Sequence, residues 1–199
     1  MAAASCTEVV EASQTSFAEG PLQTQFASTQ TLVRQILDGA PADVFLSAST
    51  RWKDALVEAR RVEGAPQVFA RGRLVCIAKA DDPAAGAPHD LADIGSLLAA
   101  SDRIALADEG VPAGTYAREA LRHAGLWDGL RGRVVGLPDV RHVLRAVDSG
   151  EIRLGFVYRT DAALSGVAIL CEVDASLHDP IEYWACVLAS APQPDRARA

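Results

Sequence analysis

Ser5, Ser28 with Thr29, Ala113 with Gly114, Val140 and Tyr158 are positions at which this chain could do chemistry, and that chemistry would be hydrogen-bond donation to an anion. Ser5 stands before a helical pattern of Val9, Val10, Ser13 and Phe17, and Ser28 with Thr29 stands before one built on Leu32. Ala113 and Gly114 open a helix that runs through Tyr116, and Val140 is the first helical residue after Asp139. The first turn of a helix exposes backbone N–H groups and the positive end of its dipole, which together favour a negative guest. Tyr158 closes an apolar run and adds a phenolic O–H. Each signal has a plainer reading as well. A Ser or Thr before a helix is ordinarily a cap, a Tyr at a strand end packs, and the Val140 side chain belongs to the core, leaving only its N–H for function.

The elements that must position these residues alternate strand with helix. Asp43–Ala48, Leu74–Ala78, Arg103–Ala107, Arg133–Leu137, Leu154–Tyr158, Val167–Val173 and Tyr183–Ala189 read as short strands. Thr31–Leu37 carries Leu32, Val33, Ile36 and Leu37 on one helical face, with Gly39 as the stop. Tyr116–His123 is a second helix, opened by the turn Val111–Gly114. Asp139 caps a third, whose Val140, Val143, Leu144 and Val147 repeat at i, i+3, i+4 and i+7. This alternation predicts an α/β fold with mainly parallel sheets flanked by helices. In such sheets, loops at the carboxyl ends of strands are where ligands bind. Asp81–Pro88, rich in Pro, Gly and Ala, reads as a loop near a lobe boundary, and Pro192–Ala199 as a frayed tail.

Composition excludes several classes. A formal net charge of -7, with basic residues scattered, argues against a nucleic-acid partner. No apolar run is long enough to span a membrane. Cys6, Cys76, Cys171 and Cys186 show no C-x-x-C pair and read as buried free thiols rather than disulfides. His89, His123, His142 and His178 are dispersed, so no metal-ligand set is expected. There is no G-x-S-x-G elbow, no glycine-rich nucleotide loop and no base placed to activate Ser5, so no enzyme and no cofactor are expected.

Read together, AAAS at Ala2–Ser5, FASTQTLVRQI at Phe26–Ile36, GAPADVFLSA at Gly39–Ala48, VPAGTYAREAL at Val111–Leu121, PDVR at Pro138–Arg141 and LGFVYRTDA at Leu154–Ala162 resemble the periplasmic molybdate-binding proteins of ABC transporters. The similarity runs from Ala2 to about Leu188. It implies a two-lobed type II periplasmic-binding-protein fold with a ligand cleft between the lobes, lobe 1 being residues 1–78 plus 180–199 and lobe 2 residues 79–179. It also implies a monomeric carrier that captures molybdate or tungstate and delivers it to a membrane permease, with no nucleic-acid partner. Carried over position by position, Ser5 and Thr29 would give hydroxyl and N–H donors, Ala113 and Val140 backbone N–H groups, and Tyr158 its O–H. No charged side chain would touch the oxyanion, so Asp108, Glu109 and Asp139 should point away. Inward-pointing dipoles then offset a dianion without Lys or Arg, consistent with the acidic chain.

Three features depart from the pattern. At Thr29 the family commonly has Ser, and Ser28 is the alternative donor. Relatives carry a signal peptide and a first strand ahead of AAAS, whereas here Met1 abuts that motif. The expectation is therefore a missing first strand with unpaired neighbours, missing C-terminal helices, and a location that is periplasmic by resemblance but cytoplasmic if the sequence is complete as written. The alternatives are a binder of another tetrahedral oxyanion such as sulfate, a truncated non-exported relative, or a cytoplasmic effector-sensing domain without its helix-turn-helix.

Overall fold

The computed structural model describes residues 1–14, 22–87, 89–163, 165–192 and 194–198. Phe17, Pro88, Gln193 and Ala199, which entered the sequence patterns above, lie outside the described residues. The chain order opens β1 (Ala2–Ala3), α1 (Thr7–Gln14), β2 (Phe26–Ala27), α2 (Thr29–Leu37), β3 (Val44–Ser47), α3 (Thr50–Glu58) and β4 (Val62–Arg71). It continues with β5 (Leu74–Lys79), α4 (Ile94–Leu97), β6 (Ile104–Ala107), α5 (Pro112–His123), α6 (Trp127–Leu130), β7 (Val134–Leu137) and α7 (Val140–Asp148). The last elements are β8 (Leu154–Tyr158), α8 (Arg159–Ala163), β9 (Val167–Glu172), β10 (Glu182–Leu188) and α9 (Pro194–Arg198).

Two compact units result, Met1–Arg71 with Ile181–Ala199, and Gly72–Pro180. Among the described residues each holds one five-stranded sheet, ordered β2-β1-β3-β10-β4 in the first and β7-β6-β8-β5-β9 in the second. The expected mainly parallel order holds on one side of each sheet only. β1 pairs parallel with β2 and β3, and β6 with β7 and β8, but β10 and β5 make antiparallel pairs with both of their neighbours. β10 and β5 are the strands by which the chain enters each unit from the other. The sequence reading placed Leu74–Ala78 in the first lobe, but β5 lies between β8 and β9, so it belongs to the second unit. The loop at 81–87 accordingly lies inside that unit rather than at its border.

In the first unit the apolar face of α2 supplies Leu32, Val33 and Ile36 to a core completed by Phe45, Leu56, Cys186 and Leu188. The expected gap ahead of AAAS is filled from within the motif. Ala2–Ala3 form the strand between β2 and β3, Met1 O accepts from Leu46 N at 3.0 Å, and the Met1 ammonium donates to Val44 O at 2.9 Å. In the second unit β5, β6 and β8 are buried along almost their whole length. α7 lies against β8 so closely that a Cβ on Gly155 would meet Val143 and Val147 at 2.9 Å. The C-terminal segment, expected to fray, carries the short helix α9. β4 escaped the sequence reading because it is an exposed edge strand interrupted by Gly64 and Pro66. Proline is tolerated there, and the pairing with β10 is irregular between Ala185 and Val187.

Candidate anion-binding site

In the first unit the register of two parallel strands places two donors side by side. Ala2 faces Phe26 and Ala3 faces Ala27, so Ser5 and Thr29 each follow the last paired residue of adjacent strands by two positions, at the same carboxyl edge. Ser5 is half-buried in a 3₁₀ turn, Ala4–Cys6, whose start no side chain caps. Thr29 is buried at the first position of α2.

The geometry separates Thr29 from its neighbour Ser28. Ser28 is the N-cap of α2: its Oγ accepts from Thr31 N at 3.2 Å and exchanges a hydrogen bond with Thr31 Oγ1 at 2.8 Å. Thr29 Oγ1 instead accepts from Ala48 N at 3.4 Å, which leaves its own proton to donate. That bond also ties the start of α2 to the carboxyl end of β3. Ala48 was not foreseen as part of this arrangement, because a backbone N–H carries no mark in the sequence.

In the second unit three neighbouring parallel strands end at one edge. β6 leads into α5, β7 into α7, and β8 ends on Tyr158. Ala113, Val140 and Tyr158 are all buried there. α5 begins with Pro112, which has no N–H, and no side chain caps it. The donors of its first turn are therefore the N–H groups of Ala113 and Gly114, since Thr115 N already donates to Val111 O at 2.9 Å. α7 is capped differently. Asp139 Oδ1 accepts from Arg141 N at 2.9 Å and His142 N at 3.0 Å, the second and third positions of the helix, and leaves the N–H of Val140 at the first. The Val140 side chain packs in the core, so its contribution is main-chain only.

Gly114 explains why α5 can stand where it does. A Cβ there would lie 2.1 Å from Ala107 O, so only glycine lets the helix start this close to the end of β6. Arg118, one turn further, pins the same junction: its Nη1 donates to Ala107 O at 2.7 Å and Gly114 O at 2.9 Å. Burial lowers its pKa, against the nearby Glu109 and Asp108 charges, which raise it. The guanidinium is thus committed to carbonyl oxygens. Arg141, next to Val140, is held by the buried carboxylate of Asp161, with Nε and Oδ1 3.6 Å apart. Neither Arg118 nor Asp161 was singled out from sequence; a charged residue inside an otherwise apolar helical or strand-end pattern is the signal that could have found them. Asp108 and Glu109 are solvent-exposed, and Asp139 is turned onto its own helix. Among the described residues no group of three or more His, Cys, Asp or Glu could hold a metal ion.

Each unit therefore offers neutral donors at the carboxyl edge of its parallel strands, and the carboxylates near that edge in the second unit are exposed (Asp108), turned onto their own helix (Asp139) or paired with Arg141 (Asp161). Such a set, in which only hydroxyl lone pairs could accept and the main-chain N–H groups can only donate, favours a fully deprotonated anion.

The comparisons with known proteins point the same way. The family model of the bacterial extracellular solute-binding proteins matches residues 1–199. The molybdate-binding protein ModA of Escherichia coli is 36% identical over 193 residues, covering 94% of this chain and 75% of that protein. ModA of Haemophilus influenzae is 38% identical over 79% of this chain and 63% of its own length. A putative ABC transporter substrate-binding lipoprotein, YvgL of Bacillus subtilis, is 35% identical over 92% of this chain and 70% of its own length. Among solved structures, the substrate-binding domain of a putative molybdenum ABC transporter from Clostridium difficile superposes with a TM-score of 0.73 at 29% identity, covering 99% of this chain and 86% of that one. The periplasmic molybdate-binding protein of Azotobacter vinelandii shares the fold, with a TM-score of 0.84 at 23% identity over 99% of this chain and 88% of its own. The chain belongs to the bacterial extracellular solute-binding proteins, in the family of the molybdate-binding proteins.

Proposed function

We propose that this chain is the substrate-binding component of an ABC uptake system for molybdate or tungstate. Ser5 and Thr29 in the first unit, with Ala113, Val140 and Tyr158 in the second, would supply the donors. The chain would act as a carrier without catalysis or cofactor, monomeric, and would hand the oxyanion to a membrane permease outside the cytoplasm, as the extracellular family and the lipoprotein relative suggest. The observation that carries this reading is the selective capping at the helix starts. Asp139 takes the second and third N–H of α7 but not the first, and Ser28 takes Thr31 but not Thr29. The donors left over are the ones the family motifs mark.

No Lys or Arg is needed to hold a dianion on such donors, because a hydrogen bond to a charged partner contributes about 1.5–3 kcal/mol. Calorimetric titration with molybdate, tungstate, sulfate and phosphate tests the assignment. Molybdate and tungstate, nearly alike in size and charge, should bind alike. The smaller sulfate and the protonated phosphate should bind at least ~100-fold more weakly, a difference of about 2.7 kcal/mol. Sulfate binding as tightly as molybdate would instead assign the site to another oxyanion.

A further inference from the structure

Cys76 on β5 and Cys171 on β9 are direct cross-strand partners in an antiparallel pair. Residues so placed have Cα atoms about 4.5–5.5 Å apart, inside the roughly 4.4–6.8 Å that a disulfide spans. Both are buried free thiols in the structure, as the sequence predicts, and the pairing sets them opposite each other. β9 is the edge strand of its sheet, and the pairing shifts register between Cys76 and Ile77, so the backbone beside the pair has room to adjust. Cys6 and Cys186 lie in the other unit, and burial pushes the Cys186 thiol up to about 11.

We propose that Cys76 and Cys171 form an intramolecular disulfide that fastens β9 to β5. This goes beyond the anion-binding role; it rests on the proposed location outside the cytoplasm and not on which ligand is bound. The oxidant is a small-molecule or protein disulfide, the class met by proteins that fold in extracellular compartments. The Cys171 thiolate attacks one sulfur of that disulfide and expels the other as a thiolate, giving a mixed disulfide. The Cys76 sulfur, losing its proton, then attacks Cys171 and expels the second thiolate. One protein disulfide forms, the oxidant disulfide is reduced to two thiols, and the protons from Cys76 and Cys171 end on those thiols.

Cys171 suits the first step because it sits on the edge strand and is 5% exposed, against 0% for Cys76. The exchange would take place as β9 docks, before packing closes over the pair. The bond would close a loop of most of the second unit, and so restrict the unfolded chain strongly.

The test is to refold the full chain in mixed oxidised and reduced glutathione, quench with acid, unfold, and alkylate the remaining thiols. Two of the four cysteines should resist alkylation, the intact mass should fall by two hydrogens, and a peptide map should join Cys76 to Cys171. The oxidised protein should melt roughly 5–15 °C higher than the reduced one, and Cys171→Ser should abolish the shift. If that variant does not fold, the wild-type map decides alone. Four alkylated cysteines after oxidation, or a bond that includes Cys6 or Cys186, would overturn the proposal. Neither result involves molybdate, so failure here leaves the transport reading untouched.

Discussion

Gly114→Ala sets two physical effects against each other. By helix propensity alone, alanine in place of glycine in α5 should stabilise by up to about 1 kcal/mol. The packing argues the opposite. A Cβ at position 114 would lie 2.1 Å from Ala107 O, 2.7 Å from Ala107 C and 2.7 Å from Arg118 Nη1. Since contacts under 3.0 Å are essentially never seen, the start of α5 must retreat by about 0.9 Å from the end of β6. The obstacle is backbone, which cannot rotate away as the tip of a side chain could. Overpacking of this kind costs about 1–3 kcal/mol, and the retreat also stretches the two bonds by which Arg118 holds the junction. The net expectation is a loss of about 1–2 kcal/mol in urea unfolding, with an unchanged m-value. Molybdate affinity should fall by more than tenfold, because the N–H groups of Ala113 and Gly114 move with the helix. A Gly114→Ala protein as stable as wild type, with undiminished molybdate binding, would refute both the packing argument and the role of this helix start.

Other perturbations separate cap from ligand donor. Ser28→Ala should cost about 1 kcal/mol of stability through the lost α2 cap and leave molybdate binding near wild type, whereas Thr29→Val, which puts a methyl in place of the hydroxyl and strands the Ala48 N–H, should cost about 1–3 kcal/mol and weaken molybdate binding as well. Asp139→Ala should destabilise by about 0.5–2 kcal/mol in thermal unfolding, since its Oδ1 holds two helix N–H groups and His142 Nδ1. Asp161→Ala should cost roughly 1–3 kcal/mol, below the value for a fully buried pair because Arg141 can still reach water. Acid stability should depend on Arg153. Its hydrogen bonds hold Asp82 and Asp102 below the usual carboxylate range. A carboxylate depressed in the folded state stabilises above its unfolded pKa and loses that contribution as pH falls through the folded value. Arg153→Met should therefore flatten the fall in melting temperature below about pH 4.

Much of this could be read from the chain because the informative residues act locally. A cap such as Asp139 and an apolar repeat such as Val140, Val143, Leu144 and Val147 are complete within one helix, and the structure bears out both. What sequence missed depends on partners distant in the chain. Whether a strand runs parallel is decided by where the chain re-enters a sheet, so β5 and β10 were assigned no direction, and β5 was placed in the wrong lobe. β4 shows no clean alternation, because an exposed edge strand is under little pressure to keep one. At the candidate site, Ser5 and Tyr158 are chemically conspicuous, while the helix pattern offered the N–H groups of Ala113, Gly114 and Val140 and only the family motifs chose among them. The bond from Ala48 to Thr29 and the pairing of Arg141 with Asp161 exist only once strands β3 and β8 are in place.

The claim beneath all of this is that uncharged donors at helix starts and strand ends hold a doubly charged oxyanion. Titrating molybdate into Ser5→Ala and Tyr158→Phe beside the wild type tests it most directly, since each change removes one O–H and leaves every charge in place. The account predicts affinity about 10- to 150-fold weaker in each variant. Wild-type affinity in both variants would contradict it.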